Sequence, residues 1–186
     1  MKADEKITNL DFSQQQLAAE YDNCVFESCN LERADLSERS FLECHFIECN
    51  LTLAKLHKTA FKDVQFTDCK MLGLRFNDLA TFLLQMRFEK CHLEESSFYQ
   101  LDLRSSTFHD CKLTGCDFSG ANLENSAILN CDLTDSTFER TALNKADLSG
   151  SFNFHIDPEI NSIIGAKVSR DQLSGLLSKY CLRIED

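Results

Sequence analysis

The chain has no excess of positive charge: 19 Lys and Arg stand against 30 Asp and Glu in 186 residues, a formal charge of -11. Such a surface repels a bare phosphate backbone, which excludes nucleic-acid binding of the ordinary basic kind. No apolar run approaches the roughly 20 residues needed to cross a bilayer. The start, Met1-Lys2-Ala3-Asp4-Glu5-Lys6, holds no apolar stretch that could act as a secretion signal. The ten cysteines are therefore expected to be reduced thiols in a soluble, cytoplasmic protein. No Cys-x-x-Cys pair occurs, and His45, His57, His92, His109 and His155 share no common face, so no metal site is expected. A Gly-rich phosphate loop, a GxSxG elbow and an HExxH helix are all missing. No catalytic residue, cofactor or enzymatic activity is predicted.

What is there is a repeat. Phe or Leu recurs every fifth residue from Phe26 through Leu31, Leu36, Phe41, Phe46, Leu51, Leu56, Phe61, Phe66 and Met71 to Phe76. The series resumes at Leu83 and runs through Phe88 to Leu148. Neither the 3.6-residue helical period nor the two-residue strand period produces this spacing. Two residues before each centre the side chain is mostly Cys, Ala, Ser or Thr, and every cysteine except Cys181 lies on this second ladder.

Units such as Ala34-Asp35-Leu36-Ser37, Ala121-Asn122-Leu123-Glu124 and Ala146-Asp147-Leu148-Ser149 resemble the pentapeptide-repeat family. That resemblance implies an all-β fold, a right-handed quadrilateral β-helix with one pentad per side. Residues 20 apart should then stack, and Cys29, Cys49, Cys69 and, after a 22-residue step, Cys91, Cys111 and Cys131 form one such column. The longer step places a small bulge at 77–82. Twenty-five pentads give a rod on the order of 30 Å long.

Residues 1–22 read as an amino-terminal cap and imperfect first coil, 23–152 as the β-helix, and 153–186 as a carboxy-terminal cap. The only proline, Pro158, is expected to stop the coil. Ser169 to Gln172 fits a capping box before a helix over about 170–179, and Tyr180 to Ile184 alternates like a strand. This end either caps the rod internally or joins two copies end to end, through Leu173, Leu176, Leu177, Tyr180, Leu182 and Ile184.

Around the Phe26 column the sequence places an outward carboxylate once per coil: Glu27, Glu48, Asp68, Glu89 and Asp110. At about 4.8 Å per rung this acidic stripe is comparable to the 3.4 Å per-strand charge spacing of duplex DNA. Acidity that only keeps an all-β rod soluble is the plain alternative. The tail from Phe154 to Val168 is similar to that of the Qnr quinolone-resistance group and the microcin B17 immunity protein. The resemblance implies a DNA-mimicking homodimer that binds DNA gyrase or topoisomerase IV and protects it from quinolones or peptide toxins. Asp78 and Phe82, in the bulge, are further candidate contacts. The alternative is a structural or adaptor rod that presents its faces to an unrelated protein.

Overall fold

Three or four residues are all the strand that a pentad forms, because a backbone turned every fifth residue leaves no room for more. The turn is made by the residue two places after most inward side chains. Ser28, Arg33, Glu38, Glu43 and Glu48 have φ between 51° and 58°, their non-glycine equivalents such as Asn23, Glu95 and Asn125 fall between 47° and 60°, and Gly73, Gly115 and Gly120 take the same place. The left-handed region costs a non-glycine residue about 1–2 kcal/mol, so the corner is tolerated only when the turned chain gains an inter-coil ladder.

The computed structural model describes residues 1–12, 15, 17–104 and 106–183. Its four sides are identified by the inward residues of one coil: a first side with Phe26, a second with Leu31, a third with Leu36 and a fourth with Phe41. On the first side nine short parallel strands stack into one sheet, from Lys6–Thr8 through Val25–Glu27, His45–Ile47 and Val64–Thr67 up to Lys167–Val168. Eight steps between nine rungs give a rod of about 38 Å, longer than the repeat alone predicted because both ends add a rung. The fourth side carries four strands, Lys2–Ala3, Glu20–Asp22, Ser40–Leu42 and Ala60–Lys62. Single parallel bridges serve the second and third sides, as Asn30 to Asn50 and Asp117 to Thr137.

The steps vary where the sequence varies. Ile7 pairs with Phe26, a 19-residue step, Phe26 with Phe46 at 20, and Phe66 with Phe88 at 22. Cys49, Cys69 and Cys91 are vertical neighbours, flanked by the bridges Asn50 to Lys70 and Lys70 to His92. Each thiol donates to the carbonyl oxygen of the inward residue one coil before, Cys49 to Phe26, Cys69 to Phe46 and Cys91 to Phe66, all at 3.4 Å. Thr59, Ser96 and Thr141 use hydroxyls for the same bond at 2.8 to 3.0 Å. Small donors at this place give the buried carbonyl a side-chain partner, in some coils beside a backbone one, as where the Ala121 N–H also donates to Phe118. Burial pushes the Cys44 thiol up to about 11 and raises Cys116 as well. These are packing groups rather than nucleophiles.

Phenylalanine fills the axis. On the first side Phe26, Phe46, Phe66, Phe88 and Phe108 stack at centroid distances of 4.5 to 5.2 Å. A second stack meets it edge to face, and that second stack changes sides along the rod. Tyr21, Phe41 and Phe61 supply it on the fourth side, then Phe76, Phe98, Phe118 and Phe138 on the third. The change occurs where the fourth-side column passes from Phe61 to the exposed Thr81.

That switch displaces the expected bulge. Ala80 still donates to Thr59 at 2.9 Å, and Met86 pairs with Val64, so the two extra residues lie between 81 and 85 rather than over 77–82. Leu83 is not an inward centre: it is 66% exposed and itself turns a corner, with φ 57°. Leu79 is buried and Leu84 half-buried instead.

Pro158 does not end the winding. Asp132 bridges Phe152, Ala142 bridges Ser162, and Lys167–Val168 pairs with Asp147–Leu148. On the third side each inward N–H is given to the next coil, as Phe98 to Asp117 and Phe118 to Thr137. Pro158 stands by count in the last rung of that side, where the missing donor costs little. The expected helix is broken: Arg170–Gln172 and Ser178–Tyr180 are 3-10 turns around a single α-turn, Ser174–Leu177. Gly175 presses against the preceding coil, where a Cβ would lie 2.3 Å from the Phe154 carbonyl oxygen. The capping box does not form, because Ser169 Oγ accepts from the Gly150 N–H at 2.8 Å and Gln172 Oε1 from the Asn153 N–H at 3.4 Å. No terminal strand forms over the described part of 180–184: Cys181 is left-handed, and Ile184 lies outside the described residues.

Cutting Phe66 to Ala should lower stability by about 3–5 kcal/mol through lost burial and an uncollapsed void. Phe152→Ala, at a side chain 39% exposed, should change it by less than about 1 kcal/mol. Urea denaturation followed by circular dichroism measures both.

Candidate partner-binding surface

The five stripe carboxylates do not share one column. Glu27 and Glu89 immediately follow their inward phenylalanines and lie in register with Ile47, Thr67 and His109. Glu48, Asp68 and Asp110 sit one residue further on, at the left-handed corner between the first and second sides. In that corner column Ser28 precedes Glu48 and Lys90 stands between Asp68 and Asp110.

Charges on the same side answer most of the stripe. Lys6 Nζ lies 2.9 Å from Glu27, Lys90 Nζ 4.0 Å from Glu89, and His109 Nδ1 3.4 Å from Asp110. Glu48 accepts a hydrogen bond from Ser28 Oγ at 3.1 Å. Glu48 and Asp68, on successive rungs, are thus the two stripe members that face neither a lysine nor a histidine among the described residues. Burial lowers the affinity of His45 for a proton, and its Nε2 meets Thr67 Oγ1 at 2.9 Å. Over its whole length the first side sets Glu5, Glu27, Glu48, Asp68, Glu89, Asp110 and Asp147 against Lys6, Arg87, Lys90, Lys167 and Arg170.

The second side, which meets the first at the Glu48–Asp68 corner, is the more acidic of the two. The second carries Asp11, Glu32, Glu94, Glu95, Asp132 and Asp135 against Arg33, Lys70 and Lys112. There Asp132 is buried enough to raise its proton affinity, but bonds from Thr134 and Asn153 outweigh this and hold it below the usual carboxylate range. The fourth side sets Asp4, Glu20, Asp22, Glu43, Asp63, Asp102 and Glu124 against Lys2, Arg39, Lys62, Arg104 and Lys145. Sequence position could not show the pairing, because Lys6 reaches Glu27 across a 19-residue step and Arg87 reaches Asp63 across the 22-residue one.

Asp78 and Phe82 are not brought together with the stripe. Asp78 belongs to a 3-10 turn, Phe76–Asp78, on the third side, opposite the stripe, and pairs with Arg75 Nε at 3.3 Å. Phe82 lies on the fourth side, 73% exposed, with Lys62 Nζ 5.9 Å above its ring. Together with Leu83 it forms an apolar tip over a cleft lined by Leu84, Asp102, Arg104 and Asn125.

At the carboxy-terminal end Leu173, Leu177, Tyr180 and Leu182 are exposed, while Leu176 packs against the core of its own chain. A clamp holds this cap: Lys179 Nζ is 2.8 Å from Asp157 and also pairs with Glu159, which accepts from Tyr180 Oη at 2.7 Å. Among the described residues, no three of His, Cys, Asp and Glu are placed to hold a metal ion, and no helix is long and apolar enough to cross a membrane.

Residues 19–85 and 81–152 match the sequence model of the pentapeptide repeat region. The chain belongs to the pentapeptide-repeat family. Its coils are those of the right-handed, four-sided β-helix implied by the repeat, a fold of protein interaction rather than typically of enzymes. A solved structure of QnrB1 in a trypsin-treated variant form, described as a plasmid-mediated fluoroquinolone resistance protein, is similar at 17% identity, covering 99% of each chain with a TM-score of 0.50. HetL of Nostoc sp. strain PCC 7120, described as involved in heterocyst differentiation regulation, matches at 18% identity over 89% of this chain and 84% of its own, TM-score 0.40. A pentapeptide-repeat protein of the Arabidopsis thaliana thylakoid lumen matches at 18% over 80% and 77%, TM-score 0.30. No curated protein matches the chain.

The clamp makes the cap acid-sensitive. Hydrogen bonding to Lys179 holds the Asp157 and Glu159 carboxyls below their ordinary values. Their stabilisation is full above the unfolded carboxylate values of about 4 and is lost as pH falls through the lower folded ones. Hydrogen-exchange protection over 170–180 should therefore fall below about pH 4, and in Lys179→Met it should already be low at neutral pH.

Proposed function

We propose that the protein is a cytoplasmic, rigid acidic rod that occupies the DNA-binding groove of a type II topoisomerase, DNA gyrase or topoisomerase IV, and shields it from quinolones or peptide toxins. The observation that carries this reading is the stacking of Glu48 on Asp68 at a corner continuous with the acidic second side. Carboxylates there follow a rung spacing of about 4.8 Å, near the per-strand charge spacing of a duplex. The rod's length of about 38 Å equals that of about 11 base pairs. Long-range attraction would draw such a body to a basic groove, and shape would hold it. The overall charge of -11 and the fold shared with the fluoroquinolone resistance protein QnrB1 support it. Phe82 and Leu83, on the fourth side, would touch a part of the enzyme outside the groove.

The acting unit would be a homodimer joined end to end at the cap. Leu173, Leu177, Tyr180 and Leu182 supply exposed apolar surface there. Ile184 is the remaining candidate, whereas Leu176 is committed to its own core. Sedimentation velocity should give a dimer that Leu177→Asp converts to monomer; a wild-type monomer would remove this part of the proposal.

Gyrase supercoiling assays across a titration of the protein, with and without a fluoroquinolone, test the function. Rescue of supercoiling in the drug's presence is expected, as is a steep loss of gyrase binding with rising salt. Gln at both Glu48 and Asp68 should weaken that binding about tenfold, or about 1.4 kcal/mol, with an unchanged circular dichroism spectrum. Inhibition without rescue would leave mimicry without protection. No effect on either enzyme would favour the adaptor reading.

A further inference from the structure

The fourth side is not closed all the way up the rod. In its upper coils each step is sewn by three backbone hydrogen bonds, from Ala142 N–H to Ala121 at 3.0 Å, Leu123 to Ala142 at 2.7 Å and Asn125 to Asn144 at 3.1 Å, and the next step repeats them with Ser162 to Thr141, Leu143 to Ser162 and Lys145 to Ile164. Between 80–83 and 102–104 none of the three forms. Asp102 N–H does not reach Leu79, Thr81 N–H does not reach Asp102, Leu83 N–H does not reach Arg104, and none of these groups is bonded elsewhere among the described residues. The rung 102–104 is firmly held from above, by Asn122 N–H to Leu101 at 2.9 Å and Leu103 N–H to Asn122 at 2.8 Å. Its lower edge alone is open.

The 22-residue step is the cause. Ala80 is fixed to Thr59 and Met86 to Val64, so the chain between them has two residues too many and stands off the wall. No backbone hydrogen bond from 81–84 crosses to a neighbouring coil. Thr81 is exposed at the place where the neighbouring coils bury Phe61 and Leu103. What remains is a cleft of about 430 Å³, with Leu83 and half-buried Leu84 on one wall and Asp102 and Arg104 on the other. The two charges that line it are spent on each other, since Arg104 Nη2 lies 2.6 Å and Nε 2.9 Å from the Asp102 carboxylate.

We propose that the lower edge of 102–104 is a strand-addition site, filled by an extended, uncharged segment of a partner protein that pairs parallel to it in the place 81–83 leave open. The edge presents Asp102 N–H, Asp102 C=O and Arg104 C=O at the spacing of a parallel ladder. An extended backbone meets all three, whereas a side chain or a small solute meets one. Unpaired edges of this kind are templates for another chain. The central residue of the segment takes the inward place of Thr81 and is apolar, because Leu84 lines the cleft there and Phe61 and Leu103 hold that place in the coils on either side. The segment is uncharged because an ion entering the cleft would have to displace Asp102 from Arg104. This site goes beyond the topoisomerase reading: it uses no acidic face, and its test contains no topoisomerase.

The probe is the capped peptide acetyl-Ser-Val-Phe-Thr-Ser-amide, titrated into the full chain with amide exchange read by NMR. Saturation should slow exchange of the Asp102 amide, and methylating the peptide's Phe nitrogen, which removes the N–H aimed at the Asp102 carbonyl, should weaken binding about tenfold or more. Deleting Phe82 and Leu83 places Thr81 five residues before Phe88 and restores a 20-residue step. That variant should close its own seam, melt no lower than wild type and no longer bind the peptide. An Asp102 amide left unprotected, equal binding of the methylated peptide, or full binding by a folded deletion variant would overturn the site; if the deletion variant does not fold, the methylated peptide decides. Self-association in sedimentation that survives Leu177→Asp but is lost with Phe82 and Leu83 would assign the edge to a second copy and overturn it equally.

Discussion

The rod depends on one backbone constraint, the left-handed residue that follows most inward side chains by two places. It folds the chain through a corner every five residues, and four corners return it above its starting point. Only then do Phe26 and Phe46 become neighbours at 4.5 Å, and only then does the Cys49 thiol find the Phe26 carbonyl. No single coil could bury its rings or satisfy its carbonyls alone. The energy of the fold is therefore a nearest-neighbour sum along the axis, and its weak points are places where one column loses its partner.

The clearest such place is the passage from Phe61 to Thr81. The fourth-side ring stack ends there and the third-side stack takes over, so the core remains aromatic while its second column moves by one side. A wall without a ring to anchor it can bow outward, and the two extra residues collect between 81 and 85. This gives a physical origin to the exposed Phe82 and Leu83: they sit where the core has stopped holding the wall.

Period and stacking are legible in the chain because they concern inward residues, whose type is set by burial and repeats every 20 positions. Leu83 misleads for the same reason, since a leucine at the right spacing is indistinguishable from a centre until the register of Ala80 on Thr59 is known. The acidic stripe is legible only as a side. Whether Glu27 or Glu89 is free depends on Lys6, brought beside Glu27 by a step of 19 residues, and on Lys90, adjacent to Glu89 in sequence but in a different column. The capping box at Ser169 is a sound local signal that loses to tertiary demand, because Ser169 and Gln172 are needed to bond Gly150 and Asn153 in the coil before.

A uniform rod has no natural place for a pocket, so specificity has to be written on its corners. Most corner residues of this chain suit their left-handed backbone and face water, as Asp63, Asn125 and Asn130 do. Leu53 and Leu83 break that rule on diagonally opposite edges of neighbouring coils, each near a paired arginine and aspartate: Arg75 and Asp78 by the first, Arg104 and Asp102 by the second. One groove in one partner could not enclose both edges of a square rod without surrounding it. The acidic second side lies between the Leu53 corner and the Glu48–Asp68 corner.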